Sequence, residues 1–107
     1  MRKIEQAMIT AVTNATDWRS GNTEVVNDGP VVTIKLHGNV IAWLQSGMMF
    51  VTPAGWTTST TKSRLNALLR QFTNGASIYQ KDFEWFLNAN GETREVFSDS
   101  TLAVSVN

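Results

Sequence analysis

Closely spaced turn signals between Val31 and Thr52 constrain the fold of this chain more than any other feature. His37-Gly38-Asn39 and Gln45-Ser46-Gly47 predict two tight reversals, because Gly and Asn tolerate the positive φ that hairpin turns require. The segments around these reversals are predicted strands: Val31 to Leu36, Val40 to Leu44 and Met48 to Thr52. Loops this short leave no room for the crossovers that parallel strands need, so the sheet is predicted to be antiparallel.

Two helices are predicted from apolar side chains at three- and four-residue spacing. The first runs from about Arg2 to Ala15; the second begins near Thr60 or Thr61, whose hydroxyl can cap it, and ends at Thr73-Asn74-Gly75. Residues 14–22 are polar and predicted to turn. Further strands are predicted at Thr23 to Val26, Ile78 to Leu87, Glu92 to Phe97 and Thr101 to Val106. This order predicts an α+β fold with an antiparallel sheet of about five to six strands packed against two helices.

The composition indicates one globular domain, residues 1–107, because 42% of the residues are apolar and 17% are charged. The absence of cysteine excludes disulfides, thiolate metal sites and cysteine nucleophiles. Nine basic residues balance nine acidic ones, so no global field draws the chain toward nucleic acid or an anionic membrane. Glu5 and Gln6 argue against a secretion signal, and no apolar run is long enough to span a bilayer. We therefore expect a soluble, intracellular protein.

Catalysis and metal binding find little support in the sequence. His37, the only histidine, lies in a predicted hairpin turn, where a local structural role is the simpler interpretation. The acidic residues show no spacing that would force two carboxylates together, and motifs of hydrolases, metalloproteases and P-loop enzymes are missing. One histidine without cysteine is a poor basis for a transition-metal site. We predict neither an enzyme nor a cofactor or metal site.

The segment Gly55 to Leu69 is the best candidate for a binding site. It combines an aromatic side chain, several hydroxyls and cations at a turn that becomes a helix, where free backbone N–H groups favour anions. Hydroxyls and cations contact phosphates, and an exposed indole can stack on an unpaired base for about 1–3 kcal/mol. Gln80 and Lys81 are weaker candidates. The predicted nucleic-acid-binding residues are Trp56, Thr58, Thr60, Thr61, Lys62, Arg64 and Arg70.

Structural interpretations of the same residues stay open. Trp56 can fill the space between sheet and helix, and the threonines can do no more than cap the helix. Trp43 and Trp85 lie among apolar residues and are predicted to be structural. Met48 to Val51 is predicted to be a buried strand; were it an edge, it would pair with a second copy and form a homodimer.

Four segments together resemble small, mostly uncharacterised proteins of tailed bacteriophages. They are Leu36 to Ala42, Gly55 to Asn66, Ile78 to Phe86 and Phe97 to Leu102, and the resemblance spans roughly residues 22–102. Its most specific part is the Gly-Trp-x-Thr-x-Thr-Thr-Lys-x-Arg-x-Asn run that begins at Gly55. The resemblance implies a phage origin and expression in the host bacterial cytoplasm, without implying a reaction or ligand.

Two functions follow as expectations. The first is a phage accessory protein that binds nucleic acid, more specifically single-stranded, through the Trp56 to Arg64 loop and helix start. The second is a phage protein that binds and inhibits a host protein or defence complex without nucleic acid. The zero net charge favours the second function, while the hydroxyls and cations after Gly55 favour the first.

Overall fold

The computed structural model describes all 107 residues, in two helices and nine strands. The helices are α1 (Lys3–Thr13) and α2 (Ser59–Phe72). The strands are β1 (Trp18–Ser20), β2 (Thr23–Asp28), β3 (Val31–Leu36), β4 (Asn39–Gln45), β5 (Met48–Val51), β6 (Ser77–Lys81), β7 (Glu84–Ala89), β8 (Glu92–Val96) and β9 (Leu102–Ser105). Neither helix is long and apolar enough to cross a membrane. The predicted α+β class, with antiparallel strands and two helices, is confirmed.

Six strands form the larger sheet, in the order β1-β2-β3-β4-β5-β9, and every neighbouring pair is antiparallel. The meander predicted from the turn signals is β3-β4-β5. The predicted C-terminal strand is β9, which pairs with β5 through Met49 and Val104. Because β5 has a partner on both sides, it is an internal strand, and the alternative that made it an edge is wrong.

The remaining three strands form a separate antiparallel sheet in the order β6-β7-β8. The segment Ile78 to Leu87, predicted as one strand region, reverses at Asp82 and Phe83, whose φ angles are +52° and +67°. Neither Gly, Asn nor Pro marks this turn, so the sequence pattern did not reveal it. The larger sheet has six strands, in agreement with the predicted five to six, although its strand β1 lies in a segment predicted to turn. The second sheet, which contains this extra strand, was not predicted.

One core of 21 buried apolar side chains joins the helices to both sheets. The apolar face of α2, including Leu65 and Leu68, is fully buried, and burial of each such side chain contributes about 1.5–3 kcal/mol. Trp85 lies in this core, as predicted. Trp43 lies half-buried on the other face of the larger sheet, where it stacks on Phe50 with ring centroids 5.1 Å apart. Both tryptophans therefore pack against other side chains, in contrast to Trp56.

Candidate interaction surface around Trp56

Trp56 projects from a loop that is tied to the segment after β8. Ala54 and Gly55 reverse the chain with φ angles of +56° and +88°. The Gly55 N–H then donates a hydrogen bond to the Ser98 carbonyl at 2.7 Å, and the Trp56 N–H donates to the Pro53 carbonyl at 3.0 Å. These bonds fix the backbone and leave the indole 61% exposed. Trp56 is therefore not a plug between sheet and helix.

The hydroxyls that precede and begin α2 serve the helix itself. Thr58, rather than Thr60 or Thr61, is the N-cap: its Oγ1 accepts a hydrogen bond from the Thr61 N–H at 3.2 Å. Its Oγ1 also lies 3.0 Å from the Thr61 Oγ1, and Thr61 is buried. Thr60 is half-buried. The Thr61 hydroxyl is therefore not accessible to a phosphate, and the Thr58 hydroxyl, although Thr58 is exposed, is already engaged as the helix cap.

Arg64 is not a surface cation, which corrects the prediction that it neutralises a phosphate. It is only 3% exposed, and its Nη1 lies 2.8 Å from the Glu5 Oε2 in a buried ion pair. Its Nε donates to the Thr23 Oγ1 at 3.0 Å. Because a buried charge must be paired and hydrogen-bonded, this arginine is committed to joining α2 with α1 and β2.

The other two predicted cations lie in different places. The Lys62 Nζ reaches the Gln80 Oε1 at 3.5 Å and lies 6.0 Å from the centroid of the Trp85 ring, so it points toward the smaller sheet. Arg70 is exposed and lines a cleft between α1 and α2. The structure thus does not gather Lys62, Arg64 and Arg70 into one cationic site beside Trp56.

A groove of about 390 Å³ adjoins Trp56. Its lining includes no Asp, Glu, Lys or Arg, and consists of Leu36, His37, Asn39, Ile41, Pro53, Trp56, Thr58, Thr60 and Thr61. His37 sits in the β3–β4 hairpin turn, as predicted, with φ +51°, and its N–H donates to the Asn22 carbonyl at 2.8 Å. The groove exposes mainly apolar surface together with a few polar side chains, which is the usual composition of a binding pocket.

Two further exposed aromatic side chains lie at the same end of the molecule. Phe97 is 57% exposed and precedes Ser98, whose carbonyl holds the Trp56 loop. Phe83 is 94% exposed at the tip of the β6–β7 hairpin. Val96 pairs with Trp85, which places the following Phe97 beside this tip. We call Trp56, Phe83 and Phe97 the aromatic end.

Sequence reasoning missed Phe83 and Phe97 because both lie in segments predicted to be strands, where an aromatic residue is ordinary. Only the reversal at Asp82 and Phe83 places the phenyl ring outside the fold. The charges around the aromatic end are mixed. Lys62 and Lys81 lie there with Asp82, Glu84 and Asp99, so cations do not outnumber carboxylates.

The fold and this surface define a small α+β protein that presents aromatic side chains to solvent at one end. The chain belongs to the bacteriophage family described as Kyanoviridae Gp96 protein, whose family model matches residues 1–103. The predicted resemblance to phage proteins is thereby confirmed. Comparisons with curated proteins and with solved structures find no match.

Proposed function

We propose that this phage protein binds a protein of its bacterial host, in the host cytoplasm and without catalysis, and that the aromatic end is the contact surface. The observation that carries this proposal is the exposure of Trp56, Phe83 and Phe97, each more than half exposed at one end of the molecule. Aromatic side chains supply much of the binding energy in protein interfaces when they become buried there.

Phe83 supports a binding role most directly, because folding does not account for it. A residue with a side chain loses about 1–2 kcal/mol in the left-handed region relative to the right-handed one, and Phe83 adopts φ +67°. Its side chain recovers almost nothing by packing, since it is 94% exposed. Burial of this ring against a partner would supply the hydrophobic free energy that the ring does not gain when the free protein folds.

The charge around the aromatic end favours a protein over nucleic acid. Nucleic acid binding relies on cations that neutralise phosphates, and here two lysines lie among three carboxylates. Arg64, which was expected to strengthen such a site, is buried against Glu5. The uncharged groove beside Trp56 suits an apolar side chain of a protein partner.

The proposal is tested by capture from nuclease-treated host lysate with immobilised protein, followed by binding measurements on the purified, identified partner. We expect one stoichiometric host protein to bind, and expect Trp56→Ala combined with Phe83→Ser to weaken its Kd by at least about 100-fold, as for interface hot spots. Circular dichroism would establish that the variant remains folded.

Val40→Ser is the matched control, because Val40 is 37% exposed but lies on β4, outside the aromatic end. It should bind like the wild type. Loss of all bound material after nuclease treatment, or equal affinity of the aromatic variant and the control, would contradict the proposal.

A further inference from the structure

The zero net charge of this chain conceals a separation of charge between the helices and the rest of the molecule. Residues 1–13 together with α2 contain five cations and a single carboxylate, Glu5. Since the whole chain has nine of each, the remaining residues contain four cations and eight carboxylates. The helical part therefore has a net charge of +4, and the strands and loops have −4. A surface of one sign attracts a partner of the opposite sign even when the protein as a whole is neutral.

A cleft of about 560 Å³ lies in this cationic part, between α1 and α2. It is lined by Met1, Arg2, Glu5, Ser63, Asn66, Ala67 and Arg70. Arg2 and Arg70 come from opposite sides of the cleft and are exposed. Neither forms an ion pair, because the two ion pairs of the protein are Arg64 with Glu5 and Arg94 with Glu92. Two unpaired guanidinium groups thus face one recess.

The one carboxylate in the cleft does not cancel these charges. Glu5 is 3% exposed, and its Oε2 accepts hydrogen bonds from the Arg64 Nη1 at 2.8 Å and the Ser63 Oγ at 2.6 Å. The buried guanidinium group of Arg64 therefore balances the charge of Glu5. The Asn66 side chain is also unavailable to a ligand, since it forms hydrogen bonds with both the N–H and the carbonyl of Ile78. The charged side chains of the cleft that remain for a ligand are those of Arg2 and Arg70.

We infer that this cleft binds the phosphate backbone of nucleic acid, with Arg2 and Arg70 on either side of a phosphate and Lys3 as an additional cation nearby. Guanidinium groups donate paired hydrogen bonds to phosphate oxygens, and the local surplus of cations matches a polyanion. Few contacts of this kind give weak binding, and each phosphate contact adds about 0.7 to the slope of log affinity against log salt on a single strand. Of the cations predicted from the sequence, only Arg70 belongs to this site, and the site shares no residue with the aromatic end.

The test measures binding of a labelled single-stranded oligothymidine by fluorescence anisotropy between about 50 and 200 mM salt. Arg2→Gln combined with Arg70→Gln should weaken binding by at least about fivefold at low salt. Loss of two phosphate contacts should also reduce the slope of log affinity against log salt by about 1.4. Inorganic phosphate, added at matched ionic strength, should not displace the oligonucleotide.

Arg19→Gln combined with Lys35→Gln is the control, because it removes the same charge from the larger sheet, where both residues flank Glu24. This control should keep the wild-type salt slope. Absence of oligonucleotide binding, equal losses in the two double variants, or displacement by inorganic phosphate alone would overturn the inference. These variants leave Trp56 and Phe83 intact, so the result is independent of host-protein binding.

Discussion

Four two-residue hairpin turns of this protein place both central residues at positive φ, and in three of them the second residue is glycine. Those glycines are Gly38, Gly47 and Gly91, whereas the fourth turn has Phe83 in the same position. Glycine reaches this conformation without a steric penalty, and phenylalanine does not. The three glycine turns were predictable from sequence, while the Asp82-Phe83 turn contradicts local preference. Such departures from local preference are expected at functional positions.

Replacement of Phe83 by glycine should therefore stabilise the free protein while weakening its binding to the host protein. We expect Phe83→Gly to raise the free energy of unfolding by about 0.5–1 kcal/mol, since relief of backbone strain exceeds the entropy that glycine adds to the unfolded chain. Urea unfolding at neutral pH would measure this change. Gly91→Ala, in the neighbouring hairpin, should shift stability in the opposite direction. A loss of stability in Phe83→Gly would instead show that the phenyl ring supports the fold.

At the scale of elements, α2 connects the two sheets through contacts that the sequence pattern could not reveal. The apolar stripe of α2 was predicted correctly, because a 3.6-residue period identifies one face of a helix. Asn66, on the polar side, accepts a hydrogen bond from the Ile78 N–H at 2.7 Å and donates to the Ile78 carbonyl at 2.8 Å. The sequence does not indicate that an asparagine on a helix surface will hydrogen-bond to a residue 12 positions away, since that contact depends on how β6 is placed.

Asn66→Ala should loosen β6 more than the larger sheet. It leaves both backbone groups of Ile78 without their side-chain partner, and loss of such hydrogen bonds costs about 1–3 kcal/mol. We expect lower stability in urea and faster amide hydrogen exchange in β6, with exchange in β3 and β4 changed only by the global loss. Gln71→Ala is the control, because Gln71 is exposed on the same helix. Equal acceleration throughout both sheets would contradict a local role for Asn66.

At the scale of the whole molecule, the arrangement of charge is the feature that composition hides. Arg64 pairs with Glu5 across 59 positions, and sequence spacing cannot distinguish a cation that binds a ligand from one that balances a buried carboxylate. The layout of helices and strands was largely predictable, since it follows from local periodicity and turn residues. Of the two proposed sites, the sequence predicted Trp56 with the threonines that line the groove beside it, and Arg70 in the cleft between the helices. It did not predict Phe83, Phe97 or Arg2, because the neighbours of each residue come from distant parts of the chain.

The Arg64–Glu5 pair also links stability to pH. Burial alone would raise the pKa of the Glu5 carboxyl, but hydrogen bonds from Ser63, Arg64 and the Arg2 backbone, with the charge of Arg64, lower it below its ordinary value of 4.5. A carboxyl with a lowered folded-state pKa contributes stability above its unfolded pKa, and this contribution is lost as the pH falls from about 4.5 through the folded pKa.

Arg64→Met reverses this linkage, because it leaves Glu5 buried without its cation, which favours the protonated carboxyl. At neutral pH the variant should lose about 3–5 kcal/mol of stability relative to the wild type. The difference should begin to shrink above pH 4.5, where buried Glu5 of the variant takes up a proton, and should shrink further below about 4.5, where the wild type loses the benefit of ionised Glu5. Urea unfolding at a series of pH values measures both curves. The double variant Glu5→Gln with Arg64→Met is the control, because it removes the titrating carboxyl together with its cation. A stability difference between wild type and Arg64→Met that stays constant with pH would refute this role for the pair.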